Sequence, residues 1–74
     1  MNYVITFSTV HNVMKSETVL KQKGFSVRLI PTPRHISSDC GMAVEITDTD
    51  KGNDAIRQLL QEEGLPEPEG IYQL

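Results

Sequence analysis

Seventy-four residues with a net charge of −3, 38% hydrophobic residues and no Trp describe one small domain, residues 1–74, that needs nearly all its apolar side chains in one core. A single Cys excludes an intramolecular disulfide framework and any Cys-rich zinc module. No apolar run approaches the ~18 residues of a membrane span, and the N-terminus lacks a signal peptide's basic start and long apolar stretch. A soluble, cytoplasmic chain is expected, and so small a core leaves a homodimer open.

Residues 2–7 alternate, with Tyr3, Ile5 and Phe7 on one side and Asn2, Val4 and Thr6 on the other, which predicts a strand. Ser8 or Thr9 can cap a following helix, because either hydroxyl accepts from a free backbone N–H. Val10, Val13, Met14 and Leu20 share one face of that helix, and Gly24 ends it in the left-handed conformation. Phe25, Val27 and Leu29 alternate with Ser26, Arg28 and Ile30 in a second strand, which Pro31 and Pro33 stop. Met42, Val44 and Ile46 alternate with Ala43, Glu45 and Thr47 in a third.

Asp48, Thr49 and Asp50 compete to cap a second helix whose buried stripe is Ala55, Ile56, Leu59 and Leu60. Gly64, Leu65 and Pro66 stop it, with Leu65 free to pack back on the last turn. Residues 70–74 read as a short edge strand. The order βαββαβ predicts an α+β, ferredoxin-like sandwich: a four-stranded antiparallel sheet, order 4-1-3-2, with both helices on one face. Ile5, Phe7, Val27, Leu29, Val44, Ile46, Ile56 and Leu59 are expected in its core. In this topology the loop over 31–41 shares an end of the sheet with Ser8, Thr9 and His11.

Charge is split along the chain. Residues 1–38 hold five Lys/Arg against Glu17, a net of +4, and residues 39–74 hold nine acids against Lys51 and Arg57, a net of −7. Two solvated faces explain this most simply, and an anionic ligand or acidic partner for the basic half is the functional alternative. The outward sheet positions, Val4, Thr6, Arg28, Ala43 and Glu45, offer no aromatic platform for RNA, and no nucleic-acid or membrane partner is expected. Residues 48–52 carry calcium-loop types in the wrong positions and read as a helix cap. Two His and one Cys without ligand spacing predict no metal, and nothing calls for a cofactor.

The loop Pro31-Thr32-Pro33-Arg34-His35-Ile36-Ser37-Ser38-Asp39-Cys40-Gly41 exceeds a hairpin turn. Two prolines stiffen its start, and Gly41 permits positive φ or a close backbone approach. Around Cys40 stand a fixed cation (Arg34), a titratable His35 and the hydroxyls of Ser37 and Ser38, surroundings of the kind that favour a thiolate. Spacing alone slightly favours the bland alternative, a Cys40 tucked into the core as a small hydrophobe. His11 is a candidate acid–base partner for Cys40, though a surface role is commoner there, as for His35. Glu17 falls mid-stripe on the first helix. It either reaches the Cys loop or sits at the rim of a slightly rotated helix.

The segment resembles the Se/S carrier protein-like family, small bacterial domains marked by a Pro-x-Pro-Arg segment followed by Ser-Ser-x-Cys-Gly. Here those residues are Pro31, Pro33, Arg34, Ser37, Ser38, Cys40 and Gly41. Phe7-Ser8-Thr9, leading into a helix that carries Glu17, is similar too, while Val10-His11-Asn12-Val13 departs by lacking an Ala. The resemblance implies that Cys40 carries sulfur or selenium as a persulfide or selenenylsulfide. Arg34, Ser37, Ser38 and Gly41 would hold the chalcogen, with Pro31, Pro33, Glu17, Ser8, Thr9 and His11 in support. Partners would be a cysteine desulfurase or other sulfur/selenium donor and acceptor proteins, the chain being a carrier more than a stand-alone enzyme. The alternative is an anion-sensing or protein-interaction module with a structural Cys40. A thiol redox sensor would lack a resolving Cys within the chain.

Overall fold

A computed structural model describes residues 1–36 and 40–74. Its elements run β1 (Tyr3–Thr6), α1 (Val10–Gln22), β2 (Ser26–Pro31), β3 (Met42–Thr47), α2 (Asn53–Glu62) and β4 (Gly70–Gln73). The strands form one sheet in the order β2-β3-β1-β4, and every neighbouring pair is antiparallel. This is the ferredoxin-like arrangement, with the expected strand order. Tyr3 faces Ile46 and Gln73 across the two β1 ladders, and Leu29 faces Val44 across the β2–β3 ladder.

Side-chain alternation sorts the core onto two faces. Tyr3, Ile5, Phe7, Val44 and Ile46 meet Val13 and Leu20 of α1 and Ile56 and Leu60 of α2, so both helices cover the same face. The two helices end alike. Gly24 N–H donates to Lys21 O and Phe25 N–H to Leu20 O, while Gly64 N–H donates to Gln61 O and Leu65 N–H to Leu60 O. Gly24 and Gly64 adopt φ of 92° and 78°, the left-handed geometry this motif requires. Leu65 is buried against the last turn, as its position after Gly64 suggests.

Several expectations need correction. On α1 the inward residues are Val13, Ser16 and Leu20, and Val10 and Met14 are exposed. The helix is rotated so that Ser16 takes the central position. Its hydroxyl loses no bond there, because it donates to Val13 O at 3.0 Å. Leu29 is 38% exposed, since β2 is an edge strand with only one flanking neighbour. Val27 and Leu59 are half-buried, and Ala55 is exposed on the outer side of α2. The N-cap of α2 is Gly52 rather than Asp48, Thr49 or Asp50. Thr49 Oγ1 accepts from Lys51 N at 3.1 Å and so closes a turn before the helix. Pro31, expected to stop β2, is instead its last paired residue, opposite Met42. Ladder bonds alternate along an antiparallel pair, and Thr32 N–H donates to Gly41 O, so the N–H that Pro31 lacks would fall on the open edge.

The second sheet face is also covered. Val4 and Ala43 are fully buried there beneath Ile36, with Ile30 packed alongside. Thr6 is likewise inaccessible. Of the positions expected to face outward, only Arg28 is exposed, and Glu45 is half-buried and accepts from Arg28 Nε at 2.6 Å.

Candidate functional site

The chain leaves β2 at Pro31 and joins β3 at Met42, and Thr32 N–H to Gly41 O at 3.0 Å closes the base of the loop between them. Gly41 has φ 73°, so a side chain there would be strained, although a Cβ would meet nothing within 4 Å. Ile36 N–H donates to Pro33 O at 3.0 Å, which makes residues 33–36 a turn with Arg34 and His35 at its exposed tip. Ile36 then drops onto Val4 and Ala43. Cys40 packs instead against the core on the helix side, in company with Met42. The described parts of the loop thus grip the end of the sheet from both faces.

Cys40 is half-buried and in no disulfide. Its Sγ lies 3.1 Å from Met42 O, to which the thiol donates. Only the protonated sulfur can make that bond, so deprotonation or substitution at sulfur removes it. The carbonyl comes from the strand itself, two residues on, and holds the sulfur at the loop's exit.

The remaining site candidates lie as follows. Ser8 and Thr9 are exposed between β1 and α1, and Thr9 caps the helix by accepting from Asn12 N at 3.3 Å. His11 is exposed on the first turn of α1. Glu17 sits on the flank of α1, its side chain 21% exposed, and pairs with Lys21 at 3.2 Å. Pro31 is exposed, and Pro33 is half-buried. Ser37 and Ser38 lie outside the described residues. Among the described residues, two buried hydroxyl oxygens near this end, Thr6 Oγ1 and Thr32 Oγ1, have no hydrogen-bond partner. Two open clefts lie at the opposite end, around Lys23, Phe25 and Lys51, and neither is lined by a described residue of 31–41. Among the described residues no group of three His, Cys, Asp or Glu side chains converges as a metal site, and no helix is long and apolar enough to cross a membrane.

Sequence reasoning missed two contributors. Ile36 is the one large apolar residue in the polar part of the loop, and the unbroken run Tyr3-Val4-Ile5 is the signal that β1 is buried on both faces. The acceptor role of Met42 O had no sequence signal, since any residue supplies a carbonyl.

An α+β ferredoxin-like sheet with a lone thiol where a long loop joins the third strand defines the class. Within it, residues 2–73 match the family model described as "Putative Se/S carrier protein-like", and the chain belongs to that family. No curated protein and no solved structure matches the chain.

Proposed function

We propose that the protein carries a sulfur or selenium atom on Cys40 and passes it between other proteins. The observation that carries this reading is the half-buried Cys40 thiol at the loop's exit, in a chain of this family. The step balances without an oxidant. The Cys40 thiolate attacks the outer sulfur of a donor persulfide, a bond forms between Cys40 Sγ and that sulfur, and the bond to the donor sulfur breaks. The donor leaves as a thiolate, and Cys40 holds the new persulfide. A selenenylsulfide passes from a donor in the same way.

The charge on the carried atom needs donors. Arg34 at the exposed tip, the loop amides around Gly41, and Ser37 and Ser38 supply them in this reading. Pro31, Pro33, Ser8, Thr9, His11 and Glu17 shape the surrounding end of one cytoplasmic domain. Loading removes the Sγ hydrogen and with it the donation from Sγ to Met42 O. The packing of Cys40 against the core supports the other reading, a structural thiol in an anion-sensing or interaction module.

Intact-mass analysis after incubation with sodium polysulfide separates the two. Wild-type protein should gain the mass of sulfur, Cys40→Ser should gain none while remaining folded, and Arg34→Ala should gain it more slowly. A wild-type thiol that stays unmodified and resists alkylation assigns Cys40 to structure.

A further inference from the structure

We propose that Ile36 is a positioning residue for Cys40: a latch on the far sheet face whose seating holds the thiol against β3 and whose release opens it to a sulfur donor. Two neighbouring residues of β3 are engaged from opposite faces. Ala43 lies under Ile36, together with Val4, while Met42 packs with Cys40 on the helix side. The Cys40 thiol also donates to Met42 O at 3.1 Å. Ile36 N–H to Pro33 O fixes the turn, and Thr32 N–H to Gly41 O ties its base to the residue after Cys40. From Ile36 to Cys40 the chain advances four residues, a reach of at most about 14 Å. Ile36 and Cys40 therefore constrain each other, and a turn that leaves the sheet loosens the hold on the sulfur.

The seat closes against an opposing cost. Thr6 Oγ1 and Thr32 Oγ1 are buried and have no hydrogen-bond partner among the described residues. Alternation puts Thr6 on the face of Val4, opposite Ala43, and Thr32 on the face of Ile30. Both hydroxyls thus lie on the face that Ile36 covers, and Thr6 is fully inaccessible. Burying a hydroxyl without a partner costs about as much as burying one aliphatic side chain returns. Two such hydroxyls offset the apolar contact of Ile36 with Val4 and Ala43, so little free energy separates the seated turn from a lifted one. On the helix side, by contrast, the buried Ser16 hydroxyl is bonded to Val13 O. The weak side of the sheet is the side that holds the loop.

This deepens the carrier reading and rests on it only for what the opened thiol meets. Alkylation reads the latch, and loading reads the carrier. Cys40 alkylation by N-ethylmaleimide and mass gain from sodium polysulfide are timed in wild-type protein, Ile36→Ala, Ile36→Val, Thr6→Val, Thr32→Val and Leu60→Ala, each with its urea midpoint. We expect Ile36→Ala to alkylate about tenfold faster and Ile36→Val to show a much smaller rise. Thr6→Val and Thr32→Val should each slow alkylation about threefold, because they remove the opposing hydroxyl. Polysulfide loading should follow the same order. Leu60→Ala weakens the whole fold and should still alkylate more slowly than Ile36→Ala while it remains folded. The threonine variants keep the side-chain shape, so they test the latch even if Ile36→Ala does not fold. Rates that follow urea stability alone, a wild-type rate in Ile36→Ala, or threonine variants at or above the wild-type rate overturn the latch and leave the carrier reading standing. A wild-type thiol that alkylates yet takes up no sulfur overturns the carrier reading and leaves the latch.

Discussion

The two helices sit in near-repeated βαβ settings and use their surfaces differently. Helix α2 keeps the centre of its stripe: Ile56 and Leu60 point inward, fully buried, Leu59 is half-buried, Ala55 is exposed, and the outer side carries Asp54, Gln58 and Gln61. Helix α1 follows its pattern only in part. It buries a serine, and it leaves Val10 and Met14 in solvent beside the edge strand. Their C-termini are built on one plan, so the difference does not come from how the helices end. It comes from what lies beside them.

The sharpest way to break this contrast is by truncation. Leu60→Ala removes a fully buried side chain from the shared core and should cost about 3 kcal/mol. A domain this small has only about 5–10 kcal/mol in all, so the variant should unfold at much lower urea. Met14→Ala should change stability by less than about 0.5 kcal/mol, because the side chain is half in water and Ala favours the helix. Urea titrations of both decide the matter. A Met14→Ala loss comparable to that of Leu60→Ala would show the α1 flank to be core.

The shared plan can be tested next. Gly24 and Gly64 have left-handed φ and open space where a Cβ would stand, so Ala at either site meets backbone strain without a clash. Each substitution should cost about 1 kcal/mol, and the two costs should agree within a few tenths. Unequal values would mean that one helix end is held by something beyond its glycine.

Strand and helix order, sheet order and both glycine stops were legible in the sequence because each rests on local chemistry: alternation, periodicity, and the freedom of a residue without Cβ. The rotation of α1 was not. Val10, Val13, Met14 and Leu20 fit one stripe by hydropathy, and only the neighbours of the helix decide which edge of that stripe faces in. Ser16 could take the centre because it bonds back to Val13 O, an option a hydropathy pattern does not register. The second buried face was missed for a related reason. Val4 and Ala43 alternate with core residues as solvent-facing ones would, and it takes the folded loop to place Ile36 above them. At the site, Cys40, Gly41 and the two prolines stood out by composition. The thiol's acceptor did not, being a backbone carbonyl fixed by register alone.

The smallest expected effect concerns how the two helices begin. Thr9 caps α1 through its side chain, accepting from Asn12 N, whereas Gly52 at the head of α2 has no side chain to offer. Thr9→Ala should therefore cost about 1 kcal/mol. Gly52 has φ −85° and ψ 173°, a conformation that serine adopts without strain, and nothing lies within 4 Å of where its Cβ would stand. Gly52→Ser thus adds an oxygen within reach of a free N–H in the first turn of α2 and also restricts the unfolded chain. Glycine is itself a tolerable cap, so the gain should be only about 0.5 kcal/mol. Its sign is the informative part. Stabilisation by Gly52→Ser beside destabilisation by Thr9→Ala would show that α2, well seated by its buried face, folds without a side-chain cap, while α1, with its open flank, depends on one. A loss on Gly52→Ser would mean that the first-turn N–H groups of α2 are already occupied, and the contrast between the helices would narrow to their flanks.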